Sequence, residues 1–114
     1  MLTIYHNPQW GKSRKSVEIL KEKKIEFQSV EYIKKGLTRD EIISISKKLN
    51  LRPKDFIRRK DKIVTELGLE KELENDNKIL DAIITYPKIL ERPIIIYKEK
   101  AIIARPAELL YDFL

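Results

Sequence analysis

Between an alternating apolar start and the first helix-like stretch lies the loop His6-Asn7-Pro8-Gln9-Trp10-Gly11-Lys12-Ser13-Arg14. A loop that feeds a helix N-terminus presents unpaired N–H groups beside the positive end of the helix dipole, where oxyanions are stabilised. Gly11 lets backbone come close to a ligand. Ser13 suits such a loop equally well as an ordinary helix cap. Three arginines sit at element boundaries: Arg58, Arg92 before Pro93, and Arg105 before Pro106. Guanidinium binds tetrahedral oxyanions in bidentate fashion, although each of these arginines also reads as solvated surface. His6, the only histidine, is a possible acid or base or simply a hydrogen-bonded residue. Three guanidinium groups gathered without an anion would repel by roughly a kcal/mol per pair. They need either a bound anion or local acids, for which Glu91, Asp55 and Glu108 are the neighbours in sequence.

Composition bounds the chemistry further. The 114 residues fit one domain with one core, and 1–114 reads as a single domain with a helical insertion at about 37–87. There is no cysteine, which excludes thiol catalysis, disulfides and Cys-based metal sites. One histidine excludes a multi-His metal site within the chain. No resident cofactor or metal is expected. No apolar run approaches the ~20 residues needed to span a bilayer, and the N-terminus carries no leader pattern; a cytoplasmic monomer is expected. The formal net charge of +6 raises the prospect of anionic partners. Arg52 to Lys62 holds six cations and two aspartates, a local +4. With 17 Lys beside 18 Ile, part of the basic excess is compatible with an AT-rich coding composition. The basic stretch has no aromatic besides Phe56, so a stacking platform for nucleic acid is not indicated.

The elements that must position these residues follow from periodicity. Leu2 to Tyr5 predicts a strand, Gly11 to Lys24 an amphipathic helix, and Ile25 to Tyr32 a second strand. Thr38 with Glu41 forms a capping box, with Leu37 and Ile42 as a staple, so a helix is expected to start at Thr38 and close at Asn50. Pro53 to Ile57 and Ile63 to Leu67 predict short helical pieces, the latter ended by Gly68. Asn75 to Tyr86 carries Ile79, Leu80, Ile83 and Ile84 at helical spacing, capped by Asn75 or Asp76. Pro93 to Tyr97 predicts a buried strand. A turn at 98–100 joins it to a hairpin partner at 101–104, and Pro106 is expected at N1 of a closing helix, 107–113. The order βαβ, helices, ββα requires parallel pairing first and an antiparallel pair last. The expected fold class is α/β, a mixed four-stranded sheet of thioredoxin-like arrangement.

Taken together, several motifs resemble the ArsC family, the glutaredoxin-coupled arsenate reductases of thioredoxin fold. They are Ile4-Tyr5-His6-Asn7-Pro8 with Gly11, Ser13 and Arg14; Leu37-Thr38-Arg39-Asp40-Glu41; Ile57-Arg58-Arg59; Glu66-Leu67-Gly68-Leu69; Glu91-Arg92-Pro93-Ile94; and Ala104-Arg105-Pro106-Ala107-Glu108. In that family the loop reads H-N-P-x-C-G. The resemblance implies that Arg58, Arg92 and Arg105 bind the anion, that Gly11 and Ser13 belong to the anion loop, and that His6 is the former helper of the thiol. The nucleophile's position is Trp10, and an indole is no nucleophile for this reaction. The resemblance therefore implies a pseudoenzyme that has lost reductase activity and keeps a groove for a small oxyanion (arsenate, phosphate or sulfate) or for a peptide. The competing readings are an interaction module similar to the Spx regulators, docking on RNA polymerase through the basic stretch, and an oxidoreductase in family name only. The resemblance further implies a cis Arg92–Pro93 bond. The Arg105–Pro106 bond is expected to be trans, because Pro106 opens a helix.

Overall fold

The computed structural model describes residues 2–6 and 11–114, with the side chains of Lys12 and Ser13 left aside. In chain order the elements are β1 (Leu2–Tyr5), α1 (Gly11–Glu22), β2 (Phe27–Val30), α2 (Tyr32–Lys35), α3 (Arg39–Leu49), α4 (Lys62–Glu66), α5 (Asp76–Thr85), β3 (Ile94–Tyr97), β4 (Lys100–Ile103) and α6 (Leu109–Phe113). They fall into two compact units. One comprises Met1–Lys35 with Arg92–Leu114, the other Gly36–Glu91. No helix among the described residues is long and apolar enough to cross a membrane.

The first unit holds a four-stranded sheet in the order β2-β1-β3-β4. β1 pairs with β2 in parallel, Leu2 against Phe27 through Tyr5 against Val30. It pairs with β3 antiparallel, Ile4 against Ile95 and Tyr5 against Ile94. The β3–β4 hairpin sets Ile94 opposite Ile103. The expected mixed thioredoxin-like sheet is therefore present, parallel where a helix crosses over and antiparallel at the hairpin. Period-2 geometry puts Leu2 and Ile4 on one face. They pack with Ile95, with Ile19 and Leu20 of α1, with Leu110 of α6, and with Ala104 and Ala107. Full burial of each large aliphatic side chain contributes about 1.5–3 kcal/mol.

The second unit is helical. Thr38 Oγ1 accepts from the Glu41 N–H at 3.1 Å, and Glu41 Oε1 accepts from the Thr38 N–H at 3.1 Å, the expected capping box at the start of α3. Asn50 ends the helix with φ at 57°, a left-handed conformation that asparagine tolerates. Asn75 caps α5 through the Lys78 N–H. Arg39 donates to Asp81 and to Asn77, tying α3 to α5. The helix expected at Ile63 to Leu67 is α4, with Gly68 beyond it in the left-handed region.

Three expectations need correction. The second strand stops at Val30 rather than Tyr32. The Glu31 carbonyl accepts from the Lys34 and Lys35 N–H groups, so the chain coils into α2 and buries the Tyr32 ring. The Arg92–Pro93 bond is cis as expected, but Arg105–Pro106 is also cis, not trans. Pro106 opens no helix. The Arg105 N–H donates to the Ile103 carbonyl at 2.9 Å. This tight turn directly after β4 brings Ala107 into the core, and α6 starts only at Leu109. Tight turns are where cis X-Pro bonds belong.

Candidate functional site

Sheet register gathers several of the singled-out residues at one end. The C-terminal ends of β1, β2 and β4 and the N-terminal end of β3 coincide there. His6 follows β1 and donates its backbone N–H to the Val30 carbonyl at 3.0 Å, which extends the parallel ladder by one rung. The Ala104 N–H donates to the Pro93 carbonyl at 2.9 Å and extends the hairpin likewise. One step further along that register, Arg92 and Arg105 stand at neighbouring positions beyond the sheet. Arg92 is 4% exposed, while Arg105 is exposed. His6 as a residue is 8% exposed, and its Nδ1 has no hydrogen-bond partner among the described residues. Burial pulls the His6 pKa below its ordinary value, and the nearby Glu31 carboxylate opposes that shift. The loop positions Asn7 to Trp10, including the position of the missing nucleophile, lie outside the described residues.

The start of α1 has an unusual charge pattern. It reads Gly11-Lys12-Ser13-Arg14-Lys15, with no acid in its first turn. Three cations there oppose the helix dipole, each by about 0.3–1 kcal/mol at an exposed position. The other long helices behave conventionally, since α3 opens with Asp40 and Glu41 and α5 with Asp76. Arg14 reaches back along the helix, its Nη2 lying 3.7 Å from where a Cβ on Gly11 would sit. Arg14 is thus a candidate that the reading of the three boundary arginines passed over. The signal was its i, i+3 spacing from Gly11, which brings a long side chain over the first turn.

Arg58 belongs to the helical unit. Its N–H donates to the Ile89 carbonyl, beside an antiparallel bridge between Ile57 and Leu90. Its Nη1 donates to Asp61 Oδ2 at 3.1 Å. Asp61 is largely buried and also caps α4 by accepting from the Ile63 N–H at 2.9 Å. Lys88 Nζ stands 3.8 Å from its other oxygen. Asp55, one of the acids near the boundary arginines in sequence, pairs with Arg59 at 3.6 Å.

The basic stretch is largely engaged within its own unit. Arg52 donates to Glu74 and to Asp76, and Lys54 donates to Glu74 at 2.6 Å. Arg59 also donates to the Lys54 carbonyl. These partners hold the Glu74 carboxyl below the usual carboxylate range and raise the Arg52 guanidinium. Among the described residues no cluster of three His, Cys, Asp or Glu side chains could hold a metal ion. The arginines at the sheet end are donors suited to holding an oxyanion, with the Glu31 carboxylate standing near His6. The chain has no cysteine to act there as a thiol nucleophile.

The ArsC family model matches residues 5–113. Arsenate reductase ArsI2 of Synechocystis is 32% identical over 114 residues, covering all of this chain and 81% of that protein. Arsenate reductase of Rhizobium meliloti is 33% identical, covering 99% of this chain and 81% of that protein. The solved arsenate reductase from Vibrio cholerae superposes with a TM-score of 0.94 at 29% identity, covering 99% of this chain and 97% of the other. A chain matched this fully, with the expected mixed sheet, belongs to the ArsC family.

Proposed function

We propose that this protein binds a small tetrahedral oxyanion at the end of the sheet and does not reduce it. The observation that carries the reading is the start of α1, where Lys12, Arg14 and Lys15 stand at a helix N-terminus without an acid. An anion offsets both the cations and the dipole. The neighbouring register positions of Arg92 and Arg105 support the same reading, with Gly11 allowing close approach. Family resemblance adds Ser13 to the set and implies an anion-binding role for Arg58 in the helical unit. Each oxygen would accept from guanidinium N–H groups and from the first backbone N–H groups of the helix. Reduction by the family's route needs a thiolate to attack arsenic, and the chain has no cysteine to supply one.

The test is a titration with sulfate, phosphate and arsenate at low ionic strength, followed by the fluorescence of Trp10, the only tryptophan. Saturable binding below about 10 mM that Arg92→Ala weakens supports the reading. No binding, or binding indifferent to Arg92→Ala, removes it. The alternative of docking on RNA polymerase through the basic stretch is less favoured, because Glu74, Asp76, Asp55 and Asp61 already engage much of that charge. A peptide carboxylate remains the second occupant to try, because it offers the same oxygens.

A further inference from the structure

The opposite end of the sheet, away from His6, Arg92 and Arg105, gathers a second group of side chains. β2 runs parallel to β1 and β3 antiparallel to it, so the last turn of α1, the entry to β2 and the β3–β4 turn share that end. α6 reaches it as well, because the Lys23 ammonium lies 5.3 Å from the centre of the Tyr111 ring. The Lys98 ammonium lies 5.2 Å from the centre of the Tyr97 ring. Both tyrosines are exposed, Tyr97 at 41% and Tyr111 at 45%. The cations here are Lys21, Lys23, Lys24, Lys98 and Lys100, and the acids are Glu22, Glu26, Glu99 and Asp112, all exposed. None of them forms an ion pair with another described residue, whereas seven Lys and Arg side chains of the helical unit are paired with carboxylates. The sheet unit as a whole holds 12 Lys and Arg against 7 Asp and Glu. Five against four at this end is near balance, and the excess of cations lies elsewhere on the unit.

Two of these lysines also occupy backbone that disfavours them. Lys24 has φ at 56° and Lys98 at 57°. Lys24 closes α1 where glycine is the usual residue: the Ile25 N–H donates to the Leu20 carbonyl and the Lys24 N–H to the Lys21 carbonyl, both at 3.0 Å. A side chain in the left-handed region costs the fold more than glycine would. Strain of this kind points to a use for the side chain that bears it. A two-fold contact between copies sets one surface against itself. Such a surface needs both signs of charge side by side, since a single sign would repel its own image, and tyrosine is among the residues enriched in the cores of interfaces. We propose that this end of the sheet is a self-association surface, on which a second copy of the chain docks about a two-fold axis. The tyrosines lie within the contact, and the lysines of one copy face the carboxylates of the other. The proposal is independent of the anion-site reading above.

Sedimentation velocity over about 2 to 200 µM protein, at low and at high sodium chloride, is the test. The expected result is a dimer that grows with protein concentration, with a dissociation constant at least about tenfold weaker at high salt, because exposed ion pairs are screened. Lys24→Glu combined with Lys98→Glu should weaken it by about tenfold or more, and Tyr111→Ala should weaken it also. Lys24→Gly separates association from folding. Glycine relieves the left-handed backbone, so the urea midpoint should rise, while the dimer weakens several-fold. Circular dichroism confirms that each variant is folded. A monomer at every concentration in low salt overturns the proposal. A dimer whose affinity neither the double charge reversal nor Tyr111→Ala changes overturns it too, since the contact would then lie on another face.

Discussion

Ser16 offers a substitution whose sign runs against expectation for a buried residue. It lies inside α1, is 0% exposed, and its Oγ has no hydrogen-bond partner among the described residues. A buried polar atom left without a partner costs about 1–3 kcal/mol. Serine in a helix interior is also a poorer helix former than alanine, by about 0.5 kcal/mol. Against these stands the small void left by one oxygen atom, which forfeits a few contacts worth ~0.1–0.2 kcal/mol each. The gains outweigh the loss, so Ser16→Ala should stabilise the protein by about 1–2 kcal/mol. Urea unfolding followed by far-UV circular dichroism is the assay. The midpoint should rise with the slope unchanged. The thermal midpoint should rise by roughly 4 °C for each kcal/mol. Ser16→Val is the control, because it removes the hydroxyl but adds branched bulk to a packed interior, where overpacking costs about 1–3 kcal/mol. A loss of 1 kcal/mol or more in Ser16→Ala would refute the reasoning, since it would mean that the hydroxyl is bonded after all.

Three other outcomes are expected. The 114-residue chain should show no arsenate reduction above background with glutathione and glutaredoxin, measured by arsenite formation. Trp10→Cys should create a thiol with a pKa below ~8.5, since a helix N-terminus and adjacent cations favour thiolate; the ultraviolet absorbance of the thiolate against pH reads it, and an ordinary value would show that the loop lacks those electrostatics. Stability should fall on acidification below about 6.5, the ordinary histidine value. There the unfolded chain binds a proton that the folded chain, with its depressed His6 pKa, does not. The loss levels off once pH drops below the folded value, and His6→Gln should remove that part of the slope in urea titrations at stepped pH.

What could be read from the sequence was mostly local. The Thr38–Glu41 box and the left-handed Asn50 are set by residues within one turn of each other, so spacing and type suffice. The strand pairing was legible because a short hairpin permits only antiparallel neighbours and a helical crossover enforces parallel ones. Pro106 misled because its local preference for a helix start gave way to a nonlocal demand, the burial of Ala107 directly after β4. The four-residue α2 escaped because Tyr32 alternates correctly for a strand, and only its burial shows otherwise. Arg52 finds Glu74 at a separation of 22 residues, which no periodicity reveals. Arg58 with Asp61 was within reach, three residues apart, but Asp55 is also three residues away on the other side. The choice between them depended on which aspartate caps α4.

Asp61 serves three masters: the first turn of α4, the Arg58 guanidinium and the Lys88 ammonium. Arg58 is therefore mortgaged to the folding of its own unit, whatever else it touches. Selection for a folded chain holds this arginine in place with or without a ligand. Its presence in the sequence is accordingly weak testimony to any ligand. The arginines after β4 and at the head of α1 are the better witnesses, because both stand exposed, where folding alone has less hold over residue type.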